Sequence, residues 1–236
     1  MIVNTMTWLR EVSRPGVARA AGVRGVVACI GLAGLLGGCA ASEEAIKKSE
    51  GYYQEGVASL SGDRQKAFVS FQKSVQLNPN NKESQYALGH IYTSQGKLTK
   101  AEESFKAAIA IDENFSEAYN YLGQVLVSQN RWEEAIKAYR QALSNPLYAT
   151  PDKARFNLGV ALVHEGKLQL AMEMFEDALT VNPANVPLAL TYLELGKVCV
   201  KLGYNTRARE ALNKVTSMEK GGEYAAAATE LLARLK

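Results

Sequence analysis

Residues 88–108 read Leu88-Gly89-His90-Ile91-Tyr92-Thr93-Ser94-Gln95-Gly96-Lys97-Leu98-Thr99-Lys100-Ala101-Glu102-Glu103-Ser104-Phe105-Lys106-Ala107-Ala108. Leu88-Gly89 and Tyr92 lie at helical spacing before Gly96, and Ala101, Phe105 and Ala108 at helical spacing after it. A glycine between two such stripes takes the positive φ that ends one helix and lets the next begin. The stretch predicts a helix–turn–helix, with Gly89 and Ala101 small where the two helices cross.

The pattern recurs. Gly56, Gly89, Gly123, Gly159 and Gly196 are separated by 33, 34, 36 and 37 residues. A second column, Ala67, Ala101, Ala135, Ala171 and Ala208, steps by 34, 34, 36 and 37, and Phe71, Phe105, Tyr139, Phe175 and Leu212 repeat those steps. These columns resemble the tetratricopeptide repeat, a unit of about 34 residues built as helix A, turn, helix B. The fourth copy shows them as Leu158-Gly159, Leu162, Gly166, Ala171, Phe175, Ala178 and Pro183. Gly62, Gly96, Gly166 and Gly203 are expected in A–B turns at positive φ, and Pro79 and Pro183 are expected to stop helix B.

Several positions depart from the repeat. Its tryptophan column holds Gln85, Tyr119, Arg155 and Tyr192, and Glu113 stands where a helix-ending proline belongs. The first copy is one residue short between Gly56 and Ala67. Extra residues follow the third and fourth copies, at 144–151 and 182–187, where simple loop drift is the plainer reading. After Gly221-Gly222, Tyr224, Ala228, Leu231, Leu232 and Leu235 form an apolar stripe, with Glu223, Glu230, Arg234 and Lys236 facing away. This is the helix a solenoid needs over its last open face. The expected fold is all-α, a right-handed tetratricopeptide superhelix of about eleven helices. Its repeats fall near 43–81, 82–115, 116–151, 152–188 and 189–220, followed by a capping helix at 221–236.

Residues 1–38 read as an export signal and 39–42 as a tether. Arg10, Arg14, Arg19 and Arg24 precede a short apolar run from Val26 to Gly38. Leu36-Gly37-Gly38-Cys39 resembles the lipobox of bacterial lipoproteins, in which the cysteine thiol takes a diacylglycerol and the new amino group is acylated, commonly with palmitate. Two or three acyl chains suffice for stable anchoring. Ala40, where inner-membrane lipoproteins of enteric bacteria carry Asp, implies the outer membrane and its periplasmic face.

The chain offers little for catalysis. His90 and His164 are the only histidines, and neither has a ligand cluster beside it in sequence. Each reads as a groove-lining residue. No nucleophile elbow and no phosphate-cradling glycine loop occurs. Cys199 falls in a core column with Tyr92, Leu126 and Leu162, so it reads as a buried apolar residue. The expectation is a binding protein, with no enzyme activity, no metal, no cofactor other than the lipid on Cys39, and no small-molecule substrate.

By the repeat resemblance, helix A lines a concave groove. Its fifth position carries Tyr53, Tyr86, Asn120, Phe156 and Leu193, and its ninth Val57, His90, Gln124, Val160 and Lys197. Leu60, Val127, Val163 and His164 follow at positions twelve and thirteen. The candidate groove set is Tyr53, Tyr86, His90, Asn120, Gln124, Phe156, Val160, His164 and Leu193. Phe156 and Leu193 are alternatively inter-repeat core. A mostly apolar or aromatic groove with amide handles suits an amphipathic helix or an extended apolar segment, and not a carboxylate clamp.

A lipidated array of this length resembles the type IV pilus pilotins (PilF/PilW type). The most specific likeness is Leu143-Ser144-Asn145-Pro146-Leu147-Tyr148-Ala149-Thr150-Pro151, leading into Asn157-Leu158-Gly159, with Ala171-Met172-Glu173-Met174-Phe175 behind it. The resemblance implies a partner, the secretin subunit that forms the outer-membrane pilus ring. Scaffolds for peptidoglycan hydrolases and lipoprotein subunits of the β-barrel assembly machinery share this build and are the alternatives.

Charge sharpens the picture. The chain has 27 Lys+Arg and 24 Asp+Glu, a net of +3. Residues 1–38 hold four Arg and one Glu, so residues 39–236 carry 23 of each sign. A neutral array gives no electrostatic reason for nucleic-acid binding.

Overall fold

The computed structural model describes residues 41–235. Among these it contains eleven helices and no strand, the all-α tetratricopeptide fold that the repeat columns predict. The helices are α1 (Glu43–Ser59), α2 (Arg64–Leu77), α3 (Lys82–Ser94), α4 (Leu98–Ile111), α5 (Ser116–Ser128), α6 (Trp132–Ser144), α7 (Pro151–His164), α8 (Leu168–Leu179), α9 (Leu188–Lys201), α10 (Asn205–Met218) and α11 (Glu223–Arg234). The predicted export signal, with Leu36, Gly37, Gly38 and Cys39, lies outside the described residues. No helix among them is long and apolar enough to cross a membrane.

Two compact units divide the described chain, residues 41–87 and 88–235, with the break inside α3. In the first, α1 packs on α2. Phe71 of α2 is fully buried against Gly56 of α1, where an added Cβ would sit 2.6 Å from the ring. A buried polar knot joins these helices to the start of α3. Ser49 Oγ donates to the Ser74 carbonyl (2.9 Å), Ser84 Oγ donates to Ser74 Oγ (2.7 Å), and Asn81 Nδ2 donates to Ser49 Oγ (3.3 Å). Asn81 Oδ1 also caps α3 by accepting the Ser84 N–H at 2.8 Å.

In the second unit, α5 pairs with α6, α7 with α8 and α9 with α10, and α11 lies against α9 and α10. The α11 stripe does cover the end, with Ala228 and Leu235 buried and Glu223, Glu230 and Arg234 exposed. The glycine column meets the aromatic column in every pair. Added Cβ atoms at Gly89, Gly123, Gly159 and Gly196 would lie 2.7, 2.4, 2.7 and 2.6 Å from Phe105, Tyr139, Phe175 and Leu212. Each glycine thus admits a large side chain directly against helix A backbone, a closer approach than any residue with a Cβ permits.

The A–B turns explain the second set of glycines. Gly96, Gly166 and Gly203 have φ of 71°, 71° and 75°, as expected. Their N–H groups donate three residues back, and the next N–H five back. Gly96 reaches Thr93 O at 3.0 Å and Lys97 reaches Tyr92 O at 2.9 Å, the Schellman pattern. Asn130 (φ 60°) fills the same role in the third repeat, donating to Val127 O at 2.9 Å while Arg131 reaches Leu126 O at 2.9 Å. Asparagine is the residue after glycine that best tolerates this region.

Lys97, Arg131, Lys167 and Tyr204 complete those turns and also start helix B, their carbonyls accepting from Ala101, Ala135, Ala171 and Ala208 at 3.0, 3.0, 3.0 and 2.9 Å. Gly62 departs from expectation and has no positive φ. The Gly56–Ala67 interval is one residue shorter than in the other repeats, and α1 stops at Ser59, so four residues instead of three lead to α2 and the chain turns without a left-handed residue. The Asp63 side chain caps α2 instead, accepting from Lys66 N at 2.9 Å.

The proline rule holds at the first helix B, where α2 ends at Leu77 just before Asn78-Pro79, and not at α8 or α4. α8 stops at Leu179, four residues before Pro183, and α4 stops at Ile111 with no proline near. At three of these ends a side-chain amide or carboxylate turns the chain: Asn78, Asp112 and Asn145 accept from Asn80, Asn114 and Leu147 N–H at 3.1, 2.9 and 2.9 Å.

Three glycine-to-alanine exchanges separate these roles. Gly123→Ala forces a methyl into the fully buried Tyr139 ring and should lower stability by about 1–3 kcal/mol, more than the gain in helix propensity returns. Gly166→Ala should cost about 1–2 kcal/mol through its left-handed backbone. Gly62→Ala, with open space around it, should leave the melting temperature unchanged or raise it slightly. Thermal and urea unfolding of the three variants tests the order.

Candidate protein-binding surface

Helix A repeats one pattern along α5, α7 and α9. Residues at i, i+4, i+7 and i+8 share a face: Asn120, Gln124, Val127 and Ser128; Phe156, Val160, Val163 and His164; Leu193, Lys197, Val200 and Lys201. Exposure rises along each row. Asn120, Phe156 and Leu193 are buried, Gln124, Val160 and Lys197 half-buried, and Ser128, His164 and Lys201 exposed. The open part of the face is its turn-ward half.

The expected groove set therefore divides. Gln124, Val160 and His164 are accessible, and Tyr53 is half-buried. Tyr86, His90, Asn120, Phe156 and Leu193 are interior residues instead of an open lining, at 1–4 % exposure. The fifth position meets its neighbours. Asn157 Nδ2 of α7 donates to Asn120 Oδ1 of α5 at 3.1 Å, so consecutive A helices touch along this row. Phe156 covers the Phe175 ring at 5.6 Å between centroids, and in the first unit Tyr53 covers Phe71 at 6.0 Å. In these two repeats the fifth position thus covers the ring that the glycine admits. Burial, with the nearby Glu83 and Glu50 carboxylates, pushes the Tyr53 phenol up to about 12.

His90 is wedged edge-on between Phe105 (5.4 Å) and Tyr121 (4.0 Å). Burial, aided by the Lys153 charge, pulls its imidazole down to about 3, so it is neutral at physiological pH. His164 has the opposite setting. It is exposed, stacks on Trp132 of α6 at 3.8 Å and 12°, and places Nδ1 3.3 Å from Glu165 Oε1. Trp132 had no place in the tryptophan column, so only the start of α6 next to the end of α7 reveals this pair. On α9, Lys197 Nζ donates to Glu194 Oε1 at 2.7 Å.

Cys199 is buried, and burial raises its thiol pKa. It borders a pocket of about 230 Å³ with Tyr192, Leu195, Arg207 and Lys214. Among the described residues no three His, Cys, Asp or Glu side chains come together as a metal site would need.

A charged clamp fixes neighbouring repeats. Arg131 donates to both Glu134 oxygens (2.7 and 2.6 Å) and to Glu102 of α4 (2.6 Å). Lys106 reaches the other Glu102 oxygen at 2.7 Å. Burial alone would raise the Glu102 carboxyl, but the hydrogen bonds from Lys106, Arg131 and Gln129 outweigh it and hold it at about 2.

The tetratricopeptide repeat pattern matches residues 61–114, 86–152 and 121–187, and a second form of it 189–221. The chain belongs to the tetratricopeptide repeat family. Such arrays are protein-interaction scaffolds. No curated protein matches the chain by sequence. Among solved structures the fold is similar to PilF of Pseudomonas aeruginosa, with a TM-score of 0.68 at 23 % identity over 82 % of this chain and 90 % of that one. It is similar to PilW, a widely conserved type IV pilus biogenesis factor, with a TM-score of 0.65 at 24 % identity over 79 % and 91 %. YrrB, a tetratricopeptide protein with an unusual peptide-binding site, gives 0.64 at 20 % over 79 % and 96 %. At these identities the likeness is one of fold.

His90 gives the array a defined acid response. Its folded pKa lies below the usual 6.5, so the stability from the neutral ring is complete above pH 6.5 and is lost as pH falls toward 3. Between pH 6.5 and 5, before carboxylates titrate, unfolding free energy should fall by up to about 1.4 kcal/mol per pH unit. His90→Gln should flatten that slope and His164→Gln should keep it, as read by urea unfolding at each pH.

Proposed function

We propose that this chain is a lipid-anchored tetratricopeptide scaffold of the type IV pilus system. Cys39 carries the anchor, the array stands on the periplasmic face of the outer membrane, and its partner is the pilus secretin subunit. One observation carries the reading. The irregular third-to-fourth junction, 143–159, falls in an array whose fold matches PilF and PilW over about four-fifths of its length.

The turn-ward face of α5, α7 and α9 suits the task. Val160, Val163 and Val200 offer half-buried apolar contact, while Gln124, His164, Lys197 and Lys201 offer hydrogen bonds at the rim. The rings beneath are already packed, so the face is rigid before the partner arrives, which lowers the entropy lost on binding. The secretin segment would be held there until it joins the ring, and the lipid would bring the complex to the membrane. Peptidoglycan-hydrolase scaffolding and β-barrel assembly remain the readings to test against it.

A deletion strain decides between them. Loss of pili and at least a tenfold drop in heat-resistant secretin multimers, with normal growth, is expected. Intact multimers would sink the proposal, a lytic-enzyme defect would favour the hydrolase scaffold, and lethality the β-barrel machinery. Cys39→Ser should reproduce the multimer loss while leaving the array folded. Val160→Glu should weaken secretin binding in a pull-down with helicity unchanged. Phe156→Glu places a carboxylate in the core and should unfold the fourth repeat instead, visible by circular dichroism.

A further inference from the structure

The two lengthened junctions are built, and they are built together. In the first, Asn145 Nδ2 donates to the Asn114 carbonyl (3.0 Å) while Asn145 Oδ1 accepts the Leu147 N–H (2.9 Å). Tyr148 is buried beside Ala142, Ala154, Tyr119 and Leu143. In the second, Asp152 of α7, 1 % exposed, accepts from Asn185 N (2.6 Å), Asn185 Nδ2 (2.9 Å) and Val186 N (3.0 Å). One carboxylate at the start of α7 thus ties the 182–187 loop to the helix that the 144–151 loop leads into.

What this anchored edge presents is apolar. Leu147 is 87 % exposed, although the residues on either side of it are pinned, and Leu188 is 39 % exposed. Pro146, Ala149, Ala184 and Pro187 are exposed with them. Residues 141–151 and 178–193 contain no Lys, Arg, Asp or Glu, in a chain that is 22 % charged. The second junction differs, with Asp112 and Glu113 in it.

We infer that this edge is a second docking surface, for an uncharged apolar segment of a partner protein, with Leu147 as the inserted side chain. Charge selects the occupant. A neutral edge neither steers nor pairs an ionic segment, so its complement is neutral as well, and its binding is indifferent to salt. A bilayer is the poorer fit, because interfacial loops use cations or exposed aromatic rings at the headgroups, and these two stretches expose neither. The inference does not depend on the secretin reading, since this edge is apart from the turn-ward face assigned to it.

Photo-crosslinking in the host tests it. The full-length chain carries p-benzoylphenylalanine in place of Leu147, with Glu133 replaced as a control, and the crosslinked peptide is sequenced by mass spectrometry. The expected result is an adduct from 147 to one protein through a peptide without charged residues. It should survive 0.5 M salt (about a 4 Å screening length) and fall at least tenfold in Leu188→Glu. No adduct, a lipid adduct, an adduct to a second copy of this chain, or one to a charged segment overturns the inference. If the captured protein is something other than the secretin, the edge stands as a docking surface and the secretin assignment is judged separately, by the deletion strain.

Discussion

Each repeat is organised around a single close contact, a helix A glycine against a large side chain of helix B. At Gly123 the distance left for a Cβ is 2.4 Å, so helix and ring share space that no other residue could leave free. The contact sets how near the two helices lie. It also buries Phe71, Phe105, Tyr139, Phe175 and Leu212 to within 1 % of complete. The rest of the array follows from accommodating that ring. In the first and fourth repeats the fifth-position side chain closes over it, in the third it meets the next A helix, and the surface left for a partner is pushed toward the turns.

That sequence of consequences explains which features could be read from the chain. The fold was legible because its determinants are periodic. Glycine, alanine and ring columns stay in phase through insertions of two and three residues. The stripe on α11 was equally plain. The positions facing inward were harder, because the family pattern says which way a helix face points and not how much of it a neighbour covers. Asn120 and Phe156 have the right register for a groove, yet the Asn157 amide and the Phe175 ring take them into the core. His90, by composition a polar surface residue, is held between two rings. Tyr121, one residue out of the inspected columns, is what decides this.

Other features failed to show because different residues do the same work. The third repeat has no turn glycine, and Asn130 supplies the left-handed residue. Asp112 turns the chain where proline was sought. Asp152 gave no signal at all in sequence, since an acid near the start of a helix is ordinary. Only its three donors, from a loop more than thirty residues away, show that it locks an edge.

The A–B turns carry one more implication. In four of them a single residue closes the first helix and opens the second, so the two helices are spliced with no slack between them. Such a hem accepts no additional residue without undoing both helices at once. All added length in this array lies on the other margin, where helix B hands over to the next repeat. The molecule thus has one edge fixed by geometry and one free to vary. What distinguishes one repeat of this array from the next in length is written along the variable edge.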